Sequence, residues 1–161
     1  MSNETTPPPA PVWPPALEHG LDPDSFAESF RTAGDEELRS AMTGPQRDAI
    51  LGEIFRQMPE RVRADRAAGV TGALHWRIGG RADGMEDLYE VAFVDGACSV
   101  SREPTQQPRA TMTIDAVSFI KLIVHGTNPA KLVLTRRLRL RGDVPFAMRS
   151  EHLFRKPVDD D

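Results

Sequence analysis

The chain is short of cysteine, of aromatic residues and of long apolar runs, and each shortage removes a class of protein. Among 161 residues there is one cysteine, Cys98, so no internal disulfide can form and a thiolate-rich zinc or iron–sulfur site is excluded. No apolar stretch approaches the roughly 18 residues of a membrane span. With 39% hydrophobic and 27% charged residues, a water-soluble domain is expected. The opening MSNETTPPPAPVWPP carries neither the basic nor the apolar segment of a secretion signal, so a cytoplasmic protein is the default expectation. Charge of either sign is scarce in excess: residues 21–156 hold all 20 basic groups and 19 of the 24 acidic ones. With 6% aromatics and an isoelectric point near 5.6, the footprint of a nucleic-acid binder is missing, and no such partner is expected.

Catalytic patterns are missing as well. His19, His75, His125 and His152 are far apart, with no HExxH or comparable metal spacing, so no metal centre is expected. There is no GxSxG, no P-loop and no GxGxxG after a strand; Gly79, Gly80 and Gly84 have the wrong spacing and fall in a hairpin connection. Glu36 with Glu37, and Glu86 with Asp87, read as solvated carboxylates, and Cys98 as a small core residue on one strand face with Val100. No cofactor and no catalytic set are expected.

What is present is one domain's worth of ordered pattern. Residues 1–20 form a tail in which six prolines precede residue 16, and Trp13 either docks on the domain or stands in solvent. Residues 21–68 read as a helical leader. Asp22-Pro23 opens a first helix through Phe26 and Phe30, Gly34-Asp35 ends it and caps a short one through Leu38 and Met42, and Gly44-Pro45 breaks that one. Ile50, Leu51, Ile54, Phe55 and Met58 then mark one buried helical stripe. Pro59 kinks or ends that helix, and residues 60–66 read as a solvated, charged continuation.

Residues 69–157 form the core of the domain. Period two predicts a half-buried strand over 70–78, with Val70, Gly72, Leu74, Trp76 and Ile78 on one face, and Thr71, Ala73, His75 and Arg77 on the other. Strands at 88–94 and 97–101 flank an Asp95-Gly96 turn, and a fourth strand covers 110–113. Asp115 caps a helix that ends at Gly126, another short helix follows Asn128-Pro129, and a fifth strand over 137–141 points two leucines inward and three arginines outward. Asp143 and Pro145 open a last helix with Phe146, Met148, Leu153 and Phe154, ahead of an acidic end at 158–161. Helices, a three-strand meander, then strand, helix, strand and helix give an α+β fold and exclude a doubly wound parallel sheet.

Three stretches together resemble the sterol carrier protein 2 (SCP2) family: LYEVAFVDGACSV (88–100), ATMTIDAVSFIKLIVHGTNPAKLV (110–133) and LRLRGDVPFAMRSEHLF (138–154). LGEIFRQMPERV (51–62) resembles the helical leader of bacterial stand-alone members. This chain has Tyr89 or Phe93 where the family's second strand often has tryptophan. The resemblance implies a five-stranded, mostly antiparallel sheet covered by helices, with an apolar tunnel between them for a fatty acyl chain, a sterol or a similar ligand. In the helix at 115–126, Val117, Phe119, Ile120, Leu122, Ile123 and Val124 cover most of the circumference, so that helix is either buried on all sides or lines a cavity. On the tunnel reading the wall residues are Phe119, Leu122, Ile123, Leu134, Phe146 and Met148, and the protein is a non-catalytic carrier. The alternative is an interaction module whose core is filled by side chains. Arg137, Arg139 and Arg141 are expected to form a solvated strand face able to touch anionic lipid headgroups.

Overall fold

The computed structural model describes residues 28, 30–124 and 126–154. The expectations for the proline-rich tail, Trp13, the helix start at Asp22 and the acidic end lie outside the described residues. Glycine and proline punctuate the front of the chain as their chemistry demands. Helix α1 (Asp35–Thr43) follows Gly34 and stops at Gly44, because Pro45 has no N–H to continue the ladder. Asp35 sits in the first turn with Glu36 and Glu37, and Gly34 occupies the cap; the three carboxylates complement the positive end of the helix dipole. Helix α2 (Arg47–Gln57) presents Ile50, Leu51, Ile54 and Phe55 to the core.

Beyond Pro59 the structure differs from the expected charged helical extension. A 3₁₀ turn (Met58–Arg61) gives way to extended backbone at Val62, which bridges to Phe154, while the Arg63 amide donates to the Leu153 carbonyl at 2.7 Å. The end of the chain supplies the partner that redirects it. A single helical turn, α3 (Ala64–Ala67), leads into the sheet.

The strands are β1 (Gly72–Gly79), β2 (Asp87–Val94), β3 (Ala97–Ser101), β4 (Ala110–Asp115) and β5 (Leu138–Gly142). Their order is β3-β2-β1-β4-β5, with every pair antiparallel except β1 and β4. Between β4 and β5 lie α4 (Ala116–Val124) and α5 (Pro129–Leu134), and after β5 come α6 (Val144–Ser150) and a 3₁₀ turn (Glu151–Leu153). The fold is thus α+β with a mostly antiparallel sheet of five strands. The Asp-Gly turn between β2 and β3 holds Asp95 at φ 50 and Gly96 at φ 84, the left-handed pair that a two-residue hairpin requires. A Cβ on Gly96 would stand 2.8 Å from the Ala67 carbonyl oxygen, so α3 can pack there only against glycine.

Strand alternation divides the sheet into two different faces. One carries Leu74, Trp76, Ile78, Tyr89, Val91, Phe93, Met112, Ile114 and Leu138, all buried under the helices. The other carries His75, Arg77, Glu90, Thr111, Thr113, Arg139 and Arg141. It is less open than the expected alternation implies, since His75 and Glu90 are both buried. Asp87, expected in solvent, is buried at the helix-side end of β2. It accepts from Arg47 Nε at 2.8 Å, Arg81 Nη1 at 2.9 Å and Arg102 Nη2 at 3.1 Å. Arg47 directs three of its four remaining N–H groups to the carbonyls of Met42, Ile78 and Gly79. A buried charge is tolerated only when it is paired and hydrogen-bonded in this way, and the network fastens the start of α2 to the ends of β1 and β2.

Candidate functional site

Aromatic rings fill the space where α2 and α4 meet β1 and β2. Phe55 stacks on Tyr89 with centroids 4.0 Å apart, and on Phe119 at 5.3 Å; Trp76 meets Phe119 edge-on at 5.1 Å. Offset and edge contacts of this kind add to simple area burial. The Arg102 guanidinium stands 5.0 Å from the centre of the Tyr89 ring. The Tyr89 hydroxyl is, among the described residues, the one buried side-chain polar atom with no hydrogen-bond partner. Burial raises its pKa above the usual phenol value, and Arg102 opposes this more weakly. The hydroxyl therefore stays protonated at neutral pH, able both to donate and to accept.

The six residues expected to share a wall fall into separate groups. Phe119 is fully buried in the aromatic cluster, while Leu122 and Ile123 are half-buried on α4 against the same core. Phe146 and Met148 belong to α6. Phe146 is buried beneath the Arg109 guanidinium, 4.2 Å from the ring centre, and Met148 is half-buried. A Cβ on Gly72 would come within 3.1 Å of Phe146 Cζ, so β1 lets this ring approach by having no side chain there. Arg109 also bonds Asp143, whose other oxygen accepts the Phe146 amide and caps α6. Leu134 is not on an inner wall: it is 83% exposed. Leu132 takes the inward position on α5, and at 100° per residue Leu134 points to the far side.

Cys98 lies on the helix-covered face, half-buried, and burial pushes its thiol up to about 11, so it is protonated and unreactive near neutrality. On the opposite face His75 Nε2 lies 2.8 Å from Glu90 Oε2, and Glu90 also accepts from the hydroxyl and amide of Thr105. Burial pushes the Glu90 pKa up, but the bonds from Thr105 and His75 outweigh it and the carboxyl is held below its usual value. The pair ties the loop after β3 to the sheet. Beside it is an open hollow of about 400 Å³ lined by His75, Arg77, Glu86, Asp87, Leu88, Pro108 and Thr111; another, of about 530 Å³, lies against α1 and the connection 44–46 that follows it. Neither is walled by any of the six residues. The unpaired Tyr89 hydroxyl and the buried His75–Glu90 pair are the features that sequence reasoning missed. Period two marked their strands, but the partners of a side chain depend on strand register.

A profile of the SCP-2 sterol transfer family matches residues 51–155. No curated protein matches the sequence. Among solved structures, sterol carrier protein 2 from Yarrowia lipolytica, in its apo form, is similar over 70% of this chain and 91% of its own, at 16% identity and a TM-score of 0.53. Sterol carrier protein 2 like 2 from Aedes aegypti is similar over 66% of this chain and 94% of its own, at 18% identity and a TM-score of 0.50. The stereoselective inverting sec-alkylsulfatase Pisa1 from Pseudomonas sp. is similar over 84% of this chain at 13% identity and a TM-score of 0.58, but this chain spans only 25% of that enzyme. At these identities the likeness is one of fold. No helix among the described residues is long and apolar enough to cross a membrane.

Proposed function

Because the chain belongs to the SCP-2 sterol transfer family, whose profile matches residues 51–155, we propose that it binds and carries a largely apolar small molecule without transforming it. The ligand is a fatty acyl chain, a sterol or a molecule of that kind, with one polar end. It lies between the helix-covered face of the sheet and α4, against Phe119, Leu122 and Ile123, with the α6 residues Phe146 and Met148 reached only if the ligand extends along the sheet. The observation that carries this reading is the Tyr89 hydroxyl, buried on a ring stacked against Phe55 and without a hydrogen-bond partner among the described residues. Leaving such a group unpaired costs about 1–3 kcal/mol. A ligand's polar end would complete that hydrogen bond, while its hydrocarbon would contribute about 25 cal/mol for each Å² removed from water. Extraction of the purified protein with organic solvent, followed by mass spectrometry, tests the proposal. An apolar molecule near stoichiometric amount is expected; an empty extract from protein that also takes up no added lipid would oppose it.

A second reading is favoured by one observation. Phe119 is fully buried between Phe55 and Trp76, which is what a core filled by its own side chains requires. In that case the protein is an interaction module, and its helices serve a protein partner.

A further inference from the structure

At the corner between α5 and β5 the chain displays apolar side chains that it could have covered. Leu132 and Leu138 are buried on either side, and the Arg137 amide donates to the Leu132 carbonyl at 2.8 Å to close the turn. Residues 133–137 are therefore held outward as a built knuckle. Leu134 is 83% exposed and Val133 38%, and Lys131, Arg136 and Arg137 around them are exposed with no ion-pair partner among the described residues. Asp35, which feels the charge of Arg137 only weakly, is already bonded to Lys121 at 2.8 Å. Arg136 is held at φ 62, a left-handed conformation that glycine would adopt at less cost. A cation thus stands where backbone strain alone would favour its absence.

We propose that this corner docks on an anionic lipid bilayer, with Leu134 and Val133 entering the acyl boundary and Lys131, Arg136 and Arg137 meeting the headgroups. Apolar tips ringed by cations that pair with no described residue match a surface that is negative above and hydrocarbon below. The expected arginine face on β5 contributes less: Arg139 and Arg141 point from the polar side of the sheet beside Thr113 and Thr111, whereas Arg137 precedes the strand and belongs to the corner. The proposal rests on the carrier reading only for its purpose, which is to load and unload ligand at a membrane.

The test is flotation of the full chain with vesicles of one part phosphatidylserine to two parts phosphatidylcholine, against phosphatidylcholine alone. Wild type should float with the anionic vesicles, less so as salt is added. Leu134→Ser should weaken partition at least about tenfold. Arg136→Gly should weaken it about fivefold, the share of one surface cation, while leaving the thermal midpoint unchanged or higher. In Leu134→Trp the added emission should shift to the blue on anionic vesicles. Uptake of a fluorescent fatty acid should be unaltered in all three variants, so failure of docking and failure of carriage are read separately. No binding of wild type to anionic vesicles at low salt would overturn the proposal. So would variants that float like wild type, or a dimer in solution that depends on Leu134 without any vesicle binding.

Discussion

Replacing Tyr89 with phenylalanine removes one oxygen and leaves nearly everything else in place. The ring keeps its stacking on Phe55 at 4.0 Å and its position under Arg102. The hydroxyl has no partner among the described residues and Tyr89 is 2% exposed, so in ligand-free protein the change relieves part of the roughly 1–3 kcal/mol cost of an unsatisfied buried group. A gain of about 1 kcal/mol would raise the thermal midpoint by roughly 2–4 °C in a domain of this size. Ligand binding should move the other way. A fatty acid loses one hydrogen bond worth about 0.5–1.5 kcal/mol, which is roughly two- to tenfold in affinity, whereas a hydrocarbon probe without a polar end is unaffected. Urea titration of delipidated protein gives the first quantity, with an unchanged slope showing that the compactness of the two states is the same. Competition between the two probes gives the second. If Tyr89→Phe lost stability in the ligand-free protein, or weakened both probes equally, the hydroxyl would not be the polar anchor.

The remaining expectations concern the buried charges and the thiol. Asp87→Ala leaves Arg47 buried without its carboxylate and should cost about 3–5 kcal/mol in urea titration; a loss below about 1 kcal/mol would show that the network is incidental. Glu90 has its pKa depressed from 4.5, so its stabilisation is fully present above the unfolded value and is lost as pH falls through the lower folded value. Glu90→Gln should therefore flatten the acid limb of a stability profile, and an unchanged limb would count against that linkage. Cys98, with its thiol near 11, should react with iodoacetamide at mildly alkaline pH far more slowly in folded protein than in urea; equal rates would mean it is accessible.

Much of the fold was legible because local chemistry and global structure agree. Asp115 accepts the Ser118 amide, Asn128 the Ala130 amide and Asp143 the Phe146 amide, and each was recognisable as a cap followed by an apolar run. Asp95-Gly96 marked the β2–β3 hairpin by the same logic. Non-local pairings were not legible. The loop from Gly80 to Glu86 is too long to set the β1–β2 register, so nothing in the sequence placed His75 opposite Glu90. Val62 turns away from helix because Phe154, some ninety residues later, offers it a bridge. Arg47 and Asp87 look like ordinary solvated charges until the ends of β1 and β2 converge on α2. Leu134 was assigned inward on the tunnel reading; the phase of a six-residue helix is set by Leu132, and two leucines two positions apart in α5 cannot both face the core.

The claim that an apolar molecule is carried inside the fold is tested most directly by titrating delipidated wild-type protein with a fluorescent fatty acid. Saturable binding at one probe per chain is expected, with affinity falling in Phe119→Ala and Ile123→Ala and with uptake blocked in Ile123→Trp while that variant remains folded. Failure of wild type to bind any acyl or sterol probe, together with a loss of the full 3–5 kcal/mol or so that Phe119→Ala costs in a closely packed core, would contradict it.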